Sequence, residues 1–272
     1  MRMMELKRMC GIFGFVLKKS VEMAVVFKVL RKLERHQYPD EKNPVGGYGA
    51  GVAVLTDTGK VLLKKVGKIE GSPAEHLSRV CELQWASVLV GHVRLPSPQF
   101  METAEFDETA QPYVARCIKD LTIISAHNGN VTNYKTIREN LGVKHAFESE
   151  KIELIDSEVI PHLFEELLIE KSDPKKALEA LFQTLEGANT VSLIQVEANC
   201  LLLHFIHKGK TRGLTVWKND NEEIVFCSRK EPLMECFSGI LERGGFREHV
   251  FIPWGVDANL QMTINPNLRA FA

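Results

Sequence analysis

Cys10 stands between a methionine and the apolar run Gly11-Ile-Phe-Gly-Phe-Val-Leu17, close to the start of a 272-residue chain. Exposed as an N-terminal residue, it would carry a nucleophilic thiol and a free α-amine together, so the amine acts as the thiol's own general base. Both groups titrate near working pH, at about 8 for the amine and about 8.5 for the thiol. The same segment also reads as a buried cysteine in a first strand. Further along lies Ala126-His-Asn-Gly-Asn-Val-Thr-Asn-Tyr134. Asn128-Gly129 is a good turn dipeptide, but an Asn amide beside a Gly backbone N–H also offers two donors that can converge on one oxyanion. Glycine lets that backbone approach a ligand without interference from a Cβ. Gly91-His-Val-Arg-Leu-Pro-Ser97 puts Arg94 at the end of an apolar strand, where it either meets solvent or forks onto a carboxylate. Ile155-Asp-Ser-Glu158 leads into a helix, and Asp156 is there either an N-cap or a carboxylate able to hold an ammonium group.

The elements that must position these groups can be read from periodicity and punctuation. Cys10–Val16 reads as a buried strand, and Val21–Arg35 as an amphipathic helix with Val21, Ala24, Val25, Val29 and Leu33 on its apolar face. Gly49–Leu55 and Val61–Val66 form a hairpin across Thr56-Asp-Thr-Gly59. Ser72-Pro-Ala-Glu75 opens a helix as a capping box, and strands follow at Ser87–Val93 and Leu121–Ala126. Two helices, near Ser157–Ile169 and Pro174–Leu185, begin the second half, the latter announced by Asp173-Pro174. Strands at Thr190–Val196, Cys200–Ile206, Leu214–Trp217 and Ile224–Cys227 come next. A short helix within Pro232–Leu241 and strands at Val250–Trp254 and Leu260–Ile264 complete the chain. Strands at both ends with paired helices between them suggest two packed sheets covered by helices, an α+β layered domain.

Composition narrows the class. Hydrophobic residues make up 44% and charged residues 25%, and 34 basic against 35 acidic residues leave a net charge of -1. The expectation is a globular protein that is neither a dedicated nucleic-acid binder nor a polybasic membrane binder. The basic Met1–Arg8 followed by an apolar run loosely imitates a signal peptide, but Lys18-Lys19 cuts the run short and no small-x-small cleavage site follows. The chain therefore reads as cytoplasmic. Its six cysteines (Cys10, Cys81, Cys117, Cys200, Cys227 and Cys236) lack C-x-x-C spacing, which argues against a zinc site of the common kind and against a disulfide framework. Cys200 and Cys227 read as small buried strand residues.

Taken together, Met9-Cys-Gly-Ile-Phe-Gly14, Gly91-His-Val-Arg94, His127-Asn-Gly-Asn-Val-Thr-Asn-Tyr134 and Asp156-Ser-Glu158 resemble, in order and approximate spacing, the class II glutamine amidotransferases, members of the N-terminal nucleophile hydrolases. The resemblance is clearest over about residues 9–170. It implies a four-layer α-β-β-α sandwich. It implies that Cys10 attacks the side-chain amide carbon of glutamine, with the Asn128 side chain and the Gly129 N–H as the oxyanion hole. Arg94 would hold the substrate carboxylate, Ser97 would keep a hydroxyl beside it, and Asp156 would hold the ammonium. His92 and His127 are scaffold residues on this reading, because the chemistry needs no imidazole base, and neither metal nor organic cofactor is called for.

Three positions depart from the family pattern: Val45 and Tyr48 replace the usual Arg and Asp of an Arg-Gly-x-Asp string, and Gln99 stands where a glycine is usual. Met1–Met9 is either a leader or the product of a misassigned start, Met9 being the favoured one, and residues 10–272 form a single domain. No phosphoribosyl-diphosphate loop, ATP-pyrophosphatase motif or sugar-isomerase region is evident. The expectation is an oligomeric, stand-alone glutaminase subunit supplying ammonia to a separate acceptor subunit, most like the free-standing version of the glutamate synthase amidotransferase domain. Two rival readings stay open: an N-terminal-nucleophile amidase for another amide, and a non-catalytic glutamine-sensing subunit.

Overall fold

The computed structural model describes residues 10–142, 144–197 and 200–266; the Met1–Met9 segment lies outside them. In chain order the elements are β1 (Gly11–Glu22), α1 (Met23–Arg35), β2 (Ala50–Leu55), β3 (Val61–Val66), α2 (Pro73–Val80), β4 (Trp85–Val93), β5 (Tyr113–Ala115), β6 (Leu121–Gly129) and α3 (Tyr134–Asn140). They continue with α4 (Val159–Lys171), α5 (Pro174–Thr184), β7 (Asn189–Glu197), β8 (Cys200–Lys210), β9 (Leu214–Lys218), β10 (Ile224–Cys227), α6 (Lys230–Arg243), β11 (Arg247–Ile252) and β12 (Asp257–Ile264). The strands form a seven-stranded sheet ordered β11-β9-β10-β1-β4-β2-β3 and a five-stranded sheet ordered β12-β8-β7-β6-β5. Neighbouring strands run antiparallel throughout.

Three apolar cores define four layers. Phe13, Phe15, Leu89 and Val93 of the larger sheet pack with Leu30 and Leu33 of α1, Leu77 of α2 and Phe237 of α6. Ile123, Val191 and Leu193 of the smaller sheet pack with Ile137 of α3, Phe164 of α4 and Leu181 of α5. Between the sheets, Ile12, Val88, Val90, Ile124, Ala126, Phe205 and Phe226 meet face to face. Both faces of the central strands are therefore buried, which is why β1 over Gly11–Leu17 and β4 over Val88–Gly91 are apolar without interruption rather than alternating. This is the α-β-β-α sandwich.

The helix at the start of the chain differs in face from the periodic reading. Val21 belongs to β1 and Ala24 is exposed, while Met23, Val26, Phe27, Val29, Leu30 and Leu33 are buried. β1 runs on through the exposed Lys18-Lys19-Ser20, so the helix starts two residues later than the pattern suggests. Ser72 does cap α2 by accepting from the Glu75 N–H at 3.1 Å, but Glu75 does not close the capping box, because its carboxylate pairs with Arg31 at 2.5 Å. Cys227 is buried as expected, whereas Cys200, at the first position of β8, is exposed. β5 and α3 escaped the sequence reading, being too short (three and seven residues) to carry a readable period.

Candidate active site

Side-chain alternation aims the key groups at the space between the sheets. Cys10 shares its parity with Ile12, and Asn128 shares its parity with Ile124 and Ala126, all three of these apolar residues lying in the inter-sheet core. In the larger sheet Gly11 pairs with Val93, so Cys10 falls beside Arg94 at one end of the sandwich. Its Sγ accepts from the Leu95 N–H at 3.3 Å and lies 3.5 Å from the Leu95 carbonyl oxygen. Burial pushes the Cys10 thiol up; the Leu95 N–H and the charges of Arg94 and Arg212 pull against it, and Asp156 adds to the rise.

In the smaller sheet Gly129 ends β6 opposite Asn189. Its φ is +141°, and a Cβ there would strike the carbonyl oxygen of Ala188, so only glycine fits. The preceding Asn128 is fully buried, and neither its Nδ2 nor its Oδ1 has a hydrogen-bond partner. Buried side-chain amides are nearly always paired, so an unpaired one next to a left-handed glycine marks a place where a ligand supplies the partner.

A scaffold of neutral imidazoles holds the two strands. His92 on β4 reaches across the sheets to the His127 carbonyl at 3.3 Å, and the Gln111 amide donates to the same oxygen at 3.1 Å. Burial drives the His92 pKa down to about 3. The Asn189 amide nitrogen donates to the Glu186 carbonyl, so Asn189 Oδ1 must accept from His127 Nε2–H at 2.9 Å. His127 Nδ1 is then the acceptor, served by the Ser157 hydroxyl at 2.8 Å. Burial lowers the His127 pKa as well. Both histidines are structural, and neither is placed as a base.

Asp156 is not an N-cap. It sits in a 3-10 turn, Asp156–Glu158, just before α4. Its Oδ2 accepts from the Val131 N–H at 2.9 Å, which staples this turn to the segment following Gly129. Burial raises its pKa, opposed by His127 and by the Val131 and Ser157 donors; a cationic ligand group would restore the charged form. Glu158, the third residue of the turn, accepts from the Glu148 and Ser149 N–H groups at 2.6 and 2.8 Å.

Arg94 is buried and meets the Thr109 hydroxyl at 2.5 Å and the Thr103 hydroxyl at 3.0 Å, so its fork is held in place rather than solvated. The Ser97 hydroxyl is buried without a partner. The structure thus brings Cys10, Arg94 and Asp156 into one electrostatic neighbourhood, with Asn128-Gly129 linked to it through Val131 and His127.

Sequence reasoning missed Arg212, Arg229 and Glu41. Val45 is fully buried and its side chain would contact a Cβ at Gly11, leaving no positive charge there. Arg212, two residues past the end of β8, supplies one instead: its field reaches Cys10, and it pairs with Glu41 at 3.1 Å. Glu41 also pairs with Arg229, which lies 3.9 Å from the Tyr38 ring centre. Thr211 donates to the Asn128 carbonyl at 3.4 Å, placing this cluster against the candidate oxyanion hole. No local motif signals it, because its members come from three distant segments.

The α-β-β-α fold is that of the class II glutamine amidotransferases. A family model described as "Glutamine amidotransferase domain" matches residues 99–235, and the chain belongs to that family. It is 33% identical over 188 residues to the isomerizing glutamine–fructose-6-phosphate aminotransferase of Sulfurisphaera tokodaii, covering 67% of this chain and 28% of that protein. The corresponding protein of Sulfolobus acidocaldarius is 34% identical over 187 residues, with the same coverage of 67% and 28%. The chain thus spans a little over a quarter of the length of these relatives. Among solved structures, glutamine phosphoribosylpyrophosphate amidotransferase from B. subtilis superposes with a TM-score of 0.57 at 17% identity, over 96% of this chain and 50% of that one. The placement beside glutamate synthase gains no support from these relatives.

Proposed function

We propose that this chain hydrolyses the side-chain amide of glutamine through a thioester on Cys10. The observation that carries this reading is the unpartnered, buried Asn128 amide beside the left-handed Gly129, across the sandwich from β1, which Cys10 immediately precedes. With its α-amine free, Cys10 passes the thiol proton to that amine and attacks the amide carbon. The oxyanion of the tetrahedral intermediate is met by Asn128 Nδ2–H and the Gly129 N–H. Collapse breaks the C–N bond, the ammonium of Cys10 returns the proton to the departing nitrogen, and ammonia leaves. Water, activated by the same amine, then cleaves the thioester to glutamate. Arg94 with Ser97 takes the substrate carboxylate and Asp156 its ammonium, which selects the free amino acid over a peptide.

The mechanism requires Cys10 at the N-terminus, so translation starting at Met9 followed by its removal, or cleavage of a leader, belongs to the proposal. We further assign the ammonia to an acceptor on a separate synthase subunit. The relatives' names pair glutamine with fructose 6-phosphate in those proteins; a pull-down from the native host that returned no synthase-type partner would count against a separate subunit. Glutamate release is to be measured with a chain starting at Met9, its N-terminal mass checked, and Cys10→Ala as the blank. Activity that vanishes in the blank supports the thiol mechanism. Glutamine binding without glutamate release, from protein verified to begin at Cys10, would transfer the assignment to a sensing subunit, a reading that rests on the replaced Val45, Tyr48 and Gln99.

A further inference from the structure

On the far side of the smaller sheet, four side chains from three separate segments converge: Cys117 after β5, His145 in the loop after α3, and His162 with Glu165 one turn apart on α4. Their donor atoms all lie within 4.8 Å of one another. His145 Nδ1 and His162 Nδ1 are 3.3 Å apart, Cys117 Sγ is 3.6 Å from His162 Nδ1, and Glu165 Oε2 is 3.5 and 3.7 Å from the two Nδ1 atoms. A tetrahedral ion with bonds of about 2.0–2.1 Å to nitrogen or oxygen and about 2.3 Å to sulfur places its ligand atoms about 3.3–3.6 Å apart. Four of the six separations, at 3.3–3.7 Å, lie close to that geometry, and the other two are within 4.8 Å.

The hydrogen bonding points the same way. His145 Nε2 lies 2.9 Å from the Glu166 carboxylate, which fixes the ring proton there and turns the Nδ1 lone pair inward, the usual outer support of a ligating histidine. Glu165 Oε1 accepts from the Cys117 and Ile118 N–H groups, but Oε2, fully buried, has no hydrogen-bond partner. The His145 lone pair, the unpartnered Glu165 oxygen and the Cys117 thiol therefore converge with His162 Nδ1 on one buried point, a donor set suited to a cation. The tilted Phe147 ring packs at 4.2 Å against His162 and helps to wall the cluster from water.

We propose that Cys117, His145, His162 and Glu165 form a structural zinc site. Cys117 binds as the thiolate and releases its proton to solvent, and the imidazoles bind neutral through Nδ1. Four protein ligands leave no open position, so the ion is a staple rather than a catalyst. It ties the Cys117 connection and the His145 loop to α4, whose first turn follows Asp156–Glu158. The ligand positions, 117, 145, 162 and 165, contain no C-x-x-C pair, so cysteine spacing could not disclose the site. The inference stands apart from the glutaminase reading and does not need it.

The test is metal analysis of the full chain purified without chelator, followed by stripping and titration with zinc and with cobalt(II). One zinc per chain is expected, together with cobalt bands typical of a four-coordinate thiolate complex. Zinc at a hundredfold excess over its Kd should raise the melting midpoint of the stripped chain by about 5 °C. Cys117→Ser should abolish the thiolate band, Glu166→Gln should weaken binding about 10–100-fold, and the remote Cys81→Ser should change neither. A stripped wild-type chain that takes up no zinc, or cobalt spectra unaltered by Cys117→Ser, would overturn the proposal. The wild-type titration decides the first outcome without any variant.

Discussion

Asn128 offers a sharp separation between structure and chemistry at the level of one residue. Its amide makes no hydrogen bond within the protein, so Asn128→Ala removes no native bond and should leave the thermal midpoint at or above the parental value. Glutaminase turnover should nevertheless drop about 10²–10³-fold, the usual cost of losing one oxyanion donor. A variant that melts early and keeps its kcat would show the opposite, a packing residue. Gly129→Ala behaves differently, because its Cβ collides with the Ala188 carbonyl in a backbone that disfavours side chains. It should lose activity and also at least about 1 kcal/mol of stability, read by denaturant melts of both variants side by side.

The 3-10 turn Asp156–Glu158 is the element that joins the sheets' active edge to α4. Glu158 alone satisfies two backbone N–H groups of the loop that carries Glu148 and Ser149. Glu158→Ala strands both donors, at about 1–3 kcal/mol each, and frees the turn. The expected result is a destabilised chain whose KM for glutamine rises more than its kcat falls, since Asp156 shifts while Cys10, at the start of β1, and Asn128, on β6, stay in place. An unchanged KM in steady-state kinetics would detach Asp156 from substrate binding. The sequence revealed the Asp-Ser-Glu string and left Asp156 open between an N-cap and a carboxylate that holds an ammonium group. The carboxylate turns instead to Val131, a partner 25 residues away that no helix-start rule includes.

At the scale of the whole molecule, the buried histidines make stability depend on pH. His204, between Gln195 and Thr263 and edge-on to Phe164, has a pKa driven down to about 3 by burial, as has His92. A lowered folded pKa means that the unfolded chain takes up the proton first. Each imidazole's stability is intact above the unfolded value of about 6.5 and drains away as pH falls toward 3. At pH 5.5 the loss is about 1 kcal/mol per histidine. The buried Glu34, Asp156 and Glu158, whose pKa values are raised mainly by burial, offset part of this at lower pH. Thermal melts between pH 7.5 and 5.5 should therefore show a falling midpoint, and His204→Gln should flatten the slope. Equal slopes for the two proteins would mean that His204 is not held neutral.

What the sequence determined by itself was local: apolar runs long enough to be doubly buried strands, caps such as Asp173, which accepts from the Lys175 and Lys176 N–H groups, and the ordered strings around Cys10, Arg94, Asn128 and Asp156. Such signals survive in one dimension because strand period, capping and turn chemistry involve residues a few positions apart. The tertiary structure decided which face of α1 packs, where Asp156 turns, and that Arg212 brings charge to Cys10 where Val45 brings none. It also decided that Cys117, His145, His162 and Glu165 share one point. Those outcomes come from chain segments joined only by sheet stacking and helix docking, and that geometry leaves no period to read in the sequence.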